Sequence, residues 1–395
     1  MKQIAILGST GSIGRQTLAV VEAMPERFGV VALAAGNNIE ELAQQISRYH
    51  PEVVSVSSAA LAEDLAVRLR AAGLAKLPEI QHGAAGLVAV ATHPDAAMLV
   101  SAAVGVVGLE ATYAAVKAGK QVALSNKEVL VAAGEIVMAA ARQANVELLP
   151  VDSEHSAIHQ CLRAGRRGEV KRLVLTASGG PFLKTPLAEM ASATPEQALA
   201  HPNWRMGRRI TIDSATLVNK GFEVIEAHWL FDMRPDQIDV LIHPQSTIHS
   251  MVEYVDGSIL AQLGPTDMRM PIQYALTYPE RAASNEMALD WGKLRRLDFE
   301  KVSARRFPSL RLAREALRKK GAYPCAFNAA DEVAVEAFLD RRMPFAGIVE
   351  VIERVLARTP KVRMSAISDV LAADSEARRM AREEIERMAT RAAAV

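Results

Sequence analysis

At 395 residues the chain has room for two or three domains with full-sized cores, and its composition, half hydrophobic and 23% charged, excludes a disordered protein. A net charge of +1 provides no global field to attract nucleic acid or an anionic membrane, so an anionic ligand must be held by a local pocket. Two cysteines, Cys161 and Cys325, cannot build a disulfide framework or a thiolate metal site.

The N-terminal segment Lys2–Leu7 runs straight into a glycine turn, with no room for a signal peptide, and no apolar run approaches bilayer length. A cytoplasmic protein is expected. Over residues 1–150 short apolar strands alternate with amphipathic helices, the pattern of a parallel α/β sheet. Strands are predicted at 3–7, 30–34, 53–56, 97–100, 121–124 and 147–150. Helices are predicted at 16–24, 39–49, 109–118 and 129–144. Six strands with helical crossovers match a doubly wound dinucleotide fold.

Gly8-Ser9-Thr10-Gly11-Ser12-Ile13-Gly14 joins the first strand to the first helix. Glycines there let the backbone turn tightly and approach a pyrophosphate, and the helix N-terminus supplies N–H donors. The spacing is GxxGxxG rather than GxGxxG. The second strand ends Gly36-Asn37-Asn38, with no carboxylate for a ribose 2′-hydroxyl, so NADP is favoured over NAD. Beyond the fifth predicted strand, Asn126-Lys127-Glu128 falls at the edge where ligands bind in such folds. The alternative for Lys127 is a surface lysine opening a helix.

Pro150-Val151-Asp152-Ser153-Glu154-His155-Ser156 follows the sixth strand. If extended, it points Asp152 and Glu154 the same way, and two carboxylates so placed need a cation or a proton between them. With Glu223 as a third ligand, an all-oxygen site suits Mg2+ or Mn2+ rather than Zn2+. The equally open alternative makes Asp152 and Ser153 the N-cap of a helix over 156–162. His155 and His159 are spaced i, i+4, but the further ligands of a zinc site are absent.

From Val151 to Pro279 the pattern becomes α+β with a mixed sheet. Strands are predicted at 172–176, 239–243, 250–255 and 259–263, with Val255-Asp256-Gly257-Ser258 as a hairpin turn. The stretch 182–207 carries four prolines and no clear strand, so it is either a functional lid or an error of assignment. Residues 280–306 read as a connecting segment. Helices are predicted at 309–319, 329–339, 345–358 and 366–394, a C-terminal bundle over 307–395.

Within the central domain, Ser214-Ala-Thr-Leu-Val-Asn219-Lys220-Gly221-Phe222-Glu223 offers a hydroxyl, an amide, an ammonium and a carboxylate in ten residues. If it starts a helix, Asn219, Lys220 and Glu223 share a face. A phosphate wants the first three groups and a divalent cation wants the last. The plain alternative is a solvated helix face with one Lys–Glu pair.

Taken together with Ala177-Ser178-Gly179-Gly180-Pro181-Phe182, His201-Pro202-Asn203-Trp204-Arg205-Met206-Gly207 and His243-Pro244-Gln245-Ser246-Thr247-Ile248-His249-Ser250, these segments closely resemble those of the 1-deoxy-D-xylulose 5-phosphate reductoisomerase family. The resemblance spans essentially the whole chain. It implies a Rossmann-type NADPH domain (1–150), a catalytic α+β domain (151–279), the connector (280–306) and the helical domain, in a homodimer without nucleic-acid or membrane partners. The implied reaction is a metal-assisted rearrangement of 1-deoxy-D-xylulose 5-phosphate, then hydride reduction to 2-C-methyl-D-erythritol 4-phosphate.

By the same resemblance, Asp152, Glu154 and Glu223 hold Mg2+ or Mn2+, with Co2+ as a substitute. Lys127, Glu154, His201 and Glu223 are the catalytic set. Ser153, Ser178, His201, Trp204, Ser214, Asn219 and Lys220 bind substrate with Glu154 and Glu223. Thr10, Gly11, Ser12, Ile13, Gly36, Asn37, Asn38, Asn126, Glu128 and Gly207 contact NADPH. Trp204 is a lid side chain or a core residue; His249 is a supporting or a structural histidine. Some relatives carry a basic residue where this chain has Asn37. Two other readings compete. A semialdehyde-dehydrogenase type of enzyme needs a nucleophilic cysteine, for which neither Cys161 nor Cys325 has the setting. A non-catalytic NADP-binding regulator would have no use for three carboxylates and a phosphate set.

Overall fold

The structure, a computed structural model, describes residues 1–74, 76–204, 206–284 and 287–393. The chain folds into two compact units. The first comprises residues 1–129, 135–156 and 267–287; the second comprises 130–134, 157–266 and the chain from 288 onward.

In the first unit, seven strands, β1 (Lys2–Leu7), β2 (Phe28–Ala34), β3 (Val53–Val56), β4 (Glu79–His82), β5 (Met98–Ser101), β6 (Gln121–Leu124) and β7 (Leu148–Pro150), form one sheet in the order β4-β3-β2-β1-β5-β6-β7. Every pairing is parallel. Parallel strands buried on both faces need continuous apolar runs, which is why β1, β3, β5 and β6 are almost wholly buried. β4 went unpredicted because Glu-Ile-Gln-His has no such run and occupies an exposed edge. Strand order reverses between β1 and β5, so the switch point falls at the carboxyl end of β1.

The first unit also recruits a distant segment. Residues 267–279 belong, by sequence pattern, to the central domain. Instead Ile272, Ala275 and Leu276 of the helix Arg269–Thr277 join the core formed by Ile4, Ile6, Leu18 and Val100. Sequence periodicity reports a buried face but not which sheet it meets.

The second unit holds a mixed sheet of β8 (Val170–Ala177), β9 (Ile238–Ile242), β10 (Ile248–Tyr254), β11 (Ile259–Leu263) and β12 (Glu300–Lys301), in the order β11-β10-β8-β9-β12. β8 and β9 run parallel and the other pairs antiparallel. β10 and β11 turn at Gly257, whose φ of 88° needs a residue without Cβ, and Asp256 Oδ1 accepts from Ser258 N–H at 2.9 Å. Residues 182–207 are not bare loop. They contain short helices Leu187–Ala191 and Pro195–Leu199, the second opened by a Thr194/Gln197 capping box with Pro195 at its first position.

The expected separate C-terminal bundle is absent as a unit of its own. Phe182, Ile212 and Phe222 share one core with Leu312, Phe327, Val351 and Ala377, which come from the helices Ser309–Lys319, Ala322–Leu339, Gly347–Arg358 and Ile367–Ala393. No described helix is long and apolar enough to cross a membrane.

Candidate active site

In the first unit, four segments line the carboxyl edge of the sheet. After β1, Gly8 has φ 79°, and a Cβ there would lie 2.4 Å from the Ala102 carbonyl oxygen. A Cβ on Gly14 would strike Gly8 O at 2.3 Å. These two glycines let the strand pass at once into the helix Ser12–Glu22, which Gly11 caps without a side-chain acceptor. The first-turn N–H groups of Ser12, Ile13 and Gly14 therefore face outward, as an anion at a helix N-terminus requires.

After β2, Gly36, Asn37 and Asn38 are exposed. Asn38 caps the helix Ile39–Tyr49 by accepting from Glu41 N–H, and Ser57 Oγ donates to Asn37 Oδ1 at 2.5 Å. After β6, Asn126 is 3% exposed and donates from Nδ2 to Gly105 O at 2.8 Å. Its Oδ1 is buried with no hydrogen-bond partner among the described residues. A buried amide oxygen costs free energy until a donor reaches it, so this atom fits a bound group carrying an N–H or O–H.

After β7, Asp152 is where two roles meet. Its Oδ1 accepts from the N–H groups of Glu154 (3.1 Å) and His155 (3.3 Å) and meets His155 Nδ1 at 2.9 Å; its Oδ2 binds Lys127 Nζ at 2.7 Å. The helix thus starts at Ser153, not 156, and the capping role is realised. The extended geometry expected for Asp152–Glu154 is corrected: Glu154 sits in the first helical turn, where Ser153 Oγ donates to its Oε2 at 2.6 Å. Lys127 supplies the positive charge a half-buried Asp152 requires. An oxygen-only donor set of this kind fits Mg2+ or Mn2+.

In the second unit, Ser214 does not start the helix that carries Glu223. It lies in the last turn of the helix Arg208–Thr216; Leu217 then adopts the left-handed region (φ 56°, ψ 18°), and a new helix runs Val218–Phe231. Nothing in the sequence signals this break, because leucine rarely adopts that conformation. Its consequence is that Asn219 and Lys220 fall in the first turn of a helix, where the dipole favours an anion. Asn219 Nδ2 donates to Glu223 Oε1 at 2.7 Å, and Lys220 Nζ donates to Glu223 Oε2. Lys220 and Glu223 are 3% and 0% exposed, so the solvated-face alternative does not hold.

The loop after β8 lies against Ser214. Gly179 and Gly180 have φ of 84° and 65°, and a Cβ on Gly180 would meet Ser214 O at 2.8 Å. Ser178 Oγ accepts from Gly180 N–H (3.2 Å) and pairs with His201 Nε2 at 3.0 Å. The N–H groups of Asn203 (3.2 Å) and Trp204 (3.0 Å) both donate to His201 Nδ1. Nδ1 is therefore the acceptor, Nε2 carries the proton, and the Ser178 hydroxyl hydrogen is left to point elsewhere. Burial lowers the His201 pKa, which keeps the ring neutral. Trp204 is half-buried, its ring 6.4 Å from that of His249, and His249 Nε2 lies 3.2 Å from Pro265 O. Gly207 caps the helix Arg208–Thr216 with open space about its Cα; Arg205, inside the same motif, lies outside the described residues.

Comparison with known proteins covers this geometry end to end. Profiles described as 1-deoxy-D-xylulose 5-phosphate reductoisomerase and its C-terminal domains match residues 4–134, 148–231 and 263–380. The chain is 53% identical over 385 residues to the 1-deoxy-D-xylulose 5-phosphate reductoisomerase of Solibacter usitatus, covering 97% of each chain. It is 52% identical over 391 residues to that of Symbiobacterium thermophilum, covering 98% of this chain and all of the relative. The chain belongs to the 1-deoxy-D-xylulose 5-phosphate reductoisomerase family. Among solved structures, the Zymomonas mobilis reductoisomerase in complex with NADPH superposes with a TM-score of 0.90 at 44% identity, covering 98% of both chains. A reductoisomerase in complex with NADPH, fosmidomycin and magnesium gives 0.92 at 39% identity and the same coverage.

Two features of the site are not legible in the sequence. One is the helix N-terminus at Val218, hidden by the Leu217 break. The other is the hydrogen-bonded chain from Ser178 through His201 to the Trp204 backbone, which joins residues 26 positions apart. Thr10 O accepts from Arg15 Nη1 at 2.8 Å, and Glu128 opens the helix Glu128–Ala144.

Proposed function

We propose that this chain rearranges 1-deoxy-D-xylulose 5-phosphate and reduces the product with NADPH to 2-C-methyl-D-erythritol 4-phosphate. The observation that carries the reading is the alignment of the Gly8–Gly14 turn, Asn126–Lys127 and Asp152–Glu154 along one carboxyl edge of a parallel sheet. A dinucleotide and a pair of carboxylates thereby serve the same edge. The cofactor is gripped by Thr10, Gly11, Ser12 and Ile13, by Gly36, Asn37 and Asn38, and by Asn126, Glu128 and Gly207.

Asp152, Glu154 and Glu223 hold the divalent cation, which when bound polarises the substrate's ketone and hydroxyl oxygens. Lys127 then turns from Asp152 toward substrate hydroxyls and offsets negative charge as it develops. Ser178, Ser214, Asn219, Lys220 and the Val218 helix start grip the phosphate. Binding there is remote from the reacting carbons and orders the rest of the site. Neutral His201 fixes the Ser178 hydroxyl, and Trp204 covers the substrate and keeps water out. Ser153 orients Glu154.

The test is NADPH consumption by purified protein given the deoxyxylulose phosphate, with and without Mg2+ or Mn2+. Metal-dependent oxidation supports the reading and its absence defeats it. Glu223→Gln is expected to stop turnover while leaving NADPH binding intact; normal turnover would remove Glu223 from the metal set. The two cysteines are free and buried, in keeping with a reducing cytoplasm. A homodimer is supported by edge strand β11, where Ile259 and Leu260 are exposed.

A further inference from the structure

Within the first unit, one side chain ties the turn after β1 to the turn after β2. Arg15 lies in the first turn of the helix Ser12–Glu22, and its Nη1 donates to Thr10 O at 2.8 Å. The same nitrogen reaches Glu41 Oε2 at 3.2 Å, in the first turn of the helix Ile39–Tyr49. Glu41 Oε2 also accepts from Asn38 Nδ2 at 3.0 Å, while Asn38 Oδ1 accepts from Glu41 N–H at 3.2 Å. The guanidinium thus stands between the two turns, anchored to one and paired with an acid on the other. The Arg15 side chain is 55% exposed, so a ligand can reach it.

Charge makes this position informative. The segments that follow the first three strands are 8–15, 35–41 and 57–64. They carry the acids Glu40, Glu41, Glu63 and Asp64, and Arg15 is their one basic residue. In dinucleotide folds the ribose 2′ position falls at the end of the second strand, where a nearby arginine accommodates a 2′-phosphate. A phosphate monoester carries about −1.5 to −2 charge near neutral pH and suits the forked donors of a guanidinium. The amides after β2 bring hydrogen bonds but no charge. Asn37 Oδ1 is engaged by Ser57 Oγ at 2.5 Å, and Asn38 by Glu41. An exposed arginine–carboxylate pair is weak, so Arg15 can change partners at little cost.

We propose that Arg15 is the specificity-determining residue for the 2′-phosphate of NADPH. Its guanidinium leaves Glu41 for the phosphate and keeps its hold on Thr10 O. Glu41 competes with the phosphate for the same cation, so the chain's own carboxylate sets how strongly NADPH is preferred to NADH. The inference rests on the placement of the dinucleotide against Gly8–Gly14 and Gly36–Asn38.

Isothermal titration calorimetry on the full-length protein with Mg2+ compares NADPH with NADH, and adenosine 2′,5′-bisphosphate with adenosine 5′-monophosphate. Arg15→Met should weaken NADPH and the bisphosphate about tenfold, the scale of one hydrogen bond to a charged group near solvent, and leave NADH and the monophosphate unchanged. Glu41→Gln should act in the opposite direction, tightening NADPH and the bisphosphate alone, because it frees the guanidinium without removing it. An unchanged NADPH-to-NADH ratio in Arg15→Met, equal weakening of both cofactors, or weaker NADPH binding in Glu41→Gln overturns the proposal. In protein labelled with 15N-glycine, the Gly11 and Gly36 amide signals should shift when NADH is added. Signals that stay in place defeat the cofactor placement, and the inference with it. Shifted signals beside an unaltered cofactor ratio in Arg15→Met defeat only the role of Arg15.

Discussion

Replacing Lys220 with methionine isolates what holds Glu223 in the second unit. Methionine preserves most of the stem's volume but removes the ammonium bonded to Glu223 Oε2, leaving Asn219 on the other oxygen. Both partners are almost completely buried, at 3% and 0% exposure, so solvent screening offers little relief. Breaking a buried ion pair from one side costs about 3–5 kcal/mol. With Asn219 still donating, the lower end applies, about 3 kcal/mol. For a folding unit in the 150–250-residue range this lowers Tm by about 6–12 °C. Scanning calorimetry on Lys220→Met, Glu223→Gln and the double variant is the assay. The double variant should recover most of the loss, a coupling of about 2 kcal/mol, because a neutral amide at 223 no longer needs the cation. Additive single effects would refute the pairing as the source of the cost. Added Mg2+ or Mn2+ should partly rescue Lys220→Met by resupplying positive charge to Glu223.

The ring of His201 should titrate below its ordinary value in an NMR pH series, because burial lowers its pKa. The sign follows from linkage. The unfolded chain takes up the proton first, so stability from this residue is full above the unfolded value of about 6.5 and is lost as pH falls through the depressed folded pKa. A midpoint at or above 6.5 would contradict the buried, acceptor-bound geometry. Gly180→Ala forces a Cβ into the left-handed region against Ser214 O and should cost at least about 1–2 kcal/mol of stability. It should also raise KM for the phosphorylated substrate. Gly168→Ala, with open space at its Cα, should be near neutral in chemical denaturation; equal losses would discard the steric account. Leu260→Lys should weaken self-association in sedimentation experiments, and an unaltered profile would remove β11 from the interface.

Much of this protein was legible in its sequence. Local chemistry dictates local structure, and the glycine turn after β1, the parallel-strand runs and the amphipathic helices are all local. The Asn219/Lys220/Glu223 face was visible because its spacing alone puts the three groups together. β4 was missed because an edge strand need not be apolar, and the Thr194 capping box inside the proline-rich stretch was a legible signal that was passed over.

The remainder was decided by packing between distant segments. The helix Arg269–Thr277 has a buried face in either domain, and only the tertiary core selects Ile4 and Leu18 as its partners. The C-terminal helices share a core with Phe222 because a second-unit interior of that size needs apolar surface from both ends of its sequence. Leu217 enters the left-handed region because its surroundings hold it there, against its own preference, and that break creates the helix start beside Asn219 and Lys220. The sequence by itself determined which groups are present and which neighbours share a face. The tertiary structure alone decided where those faces point, and whether Lys220 and Glu223 lie in water or out of it. That last difference sets the strength of their charges, because removal from solvent makes an unpaired charge far more costly.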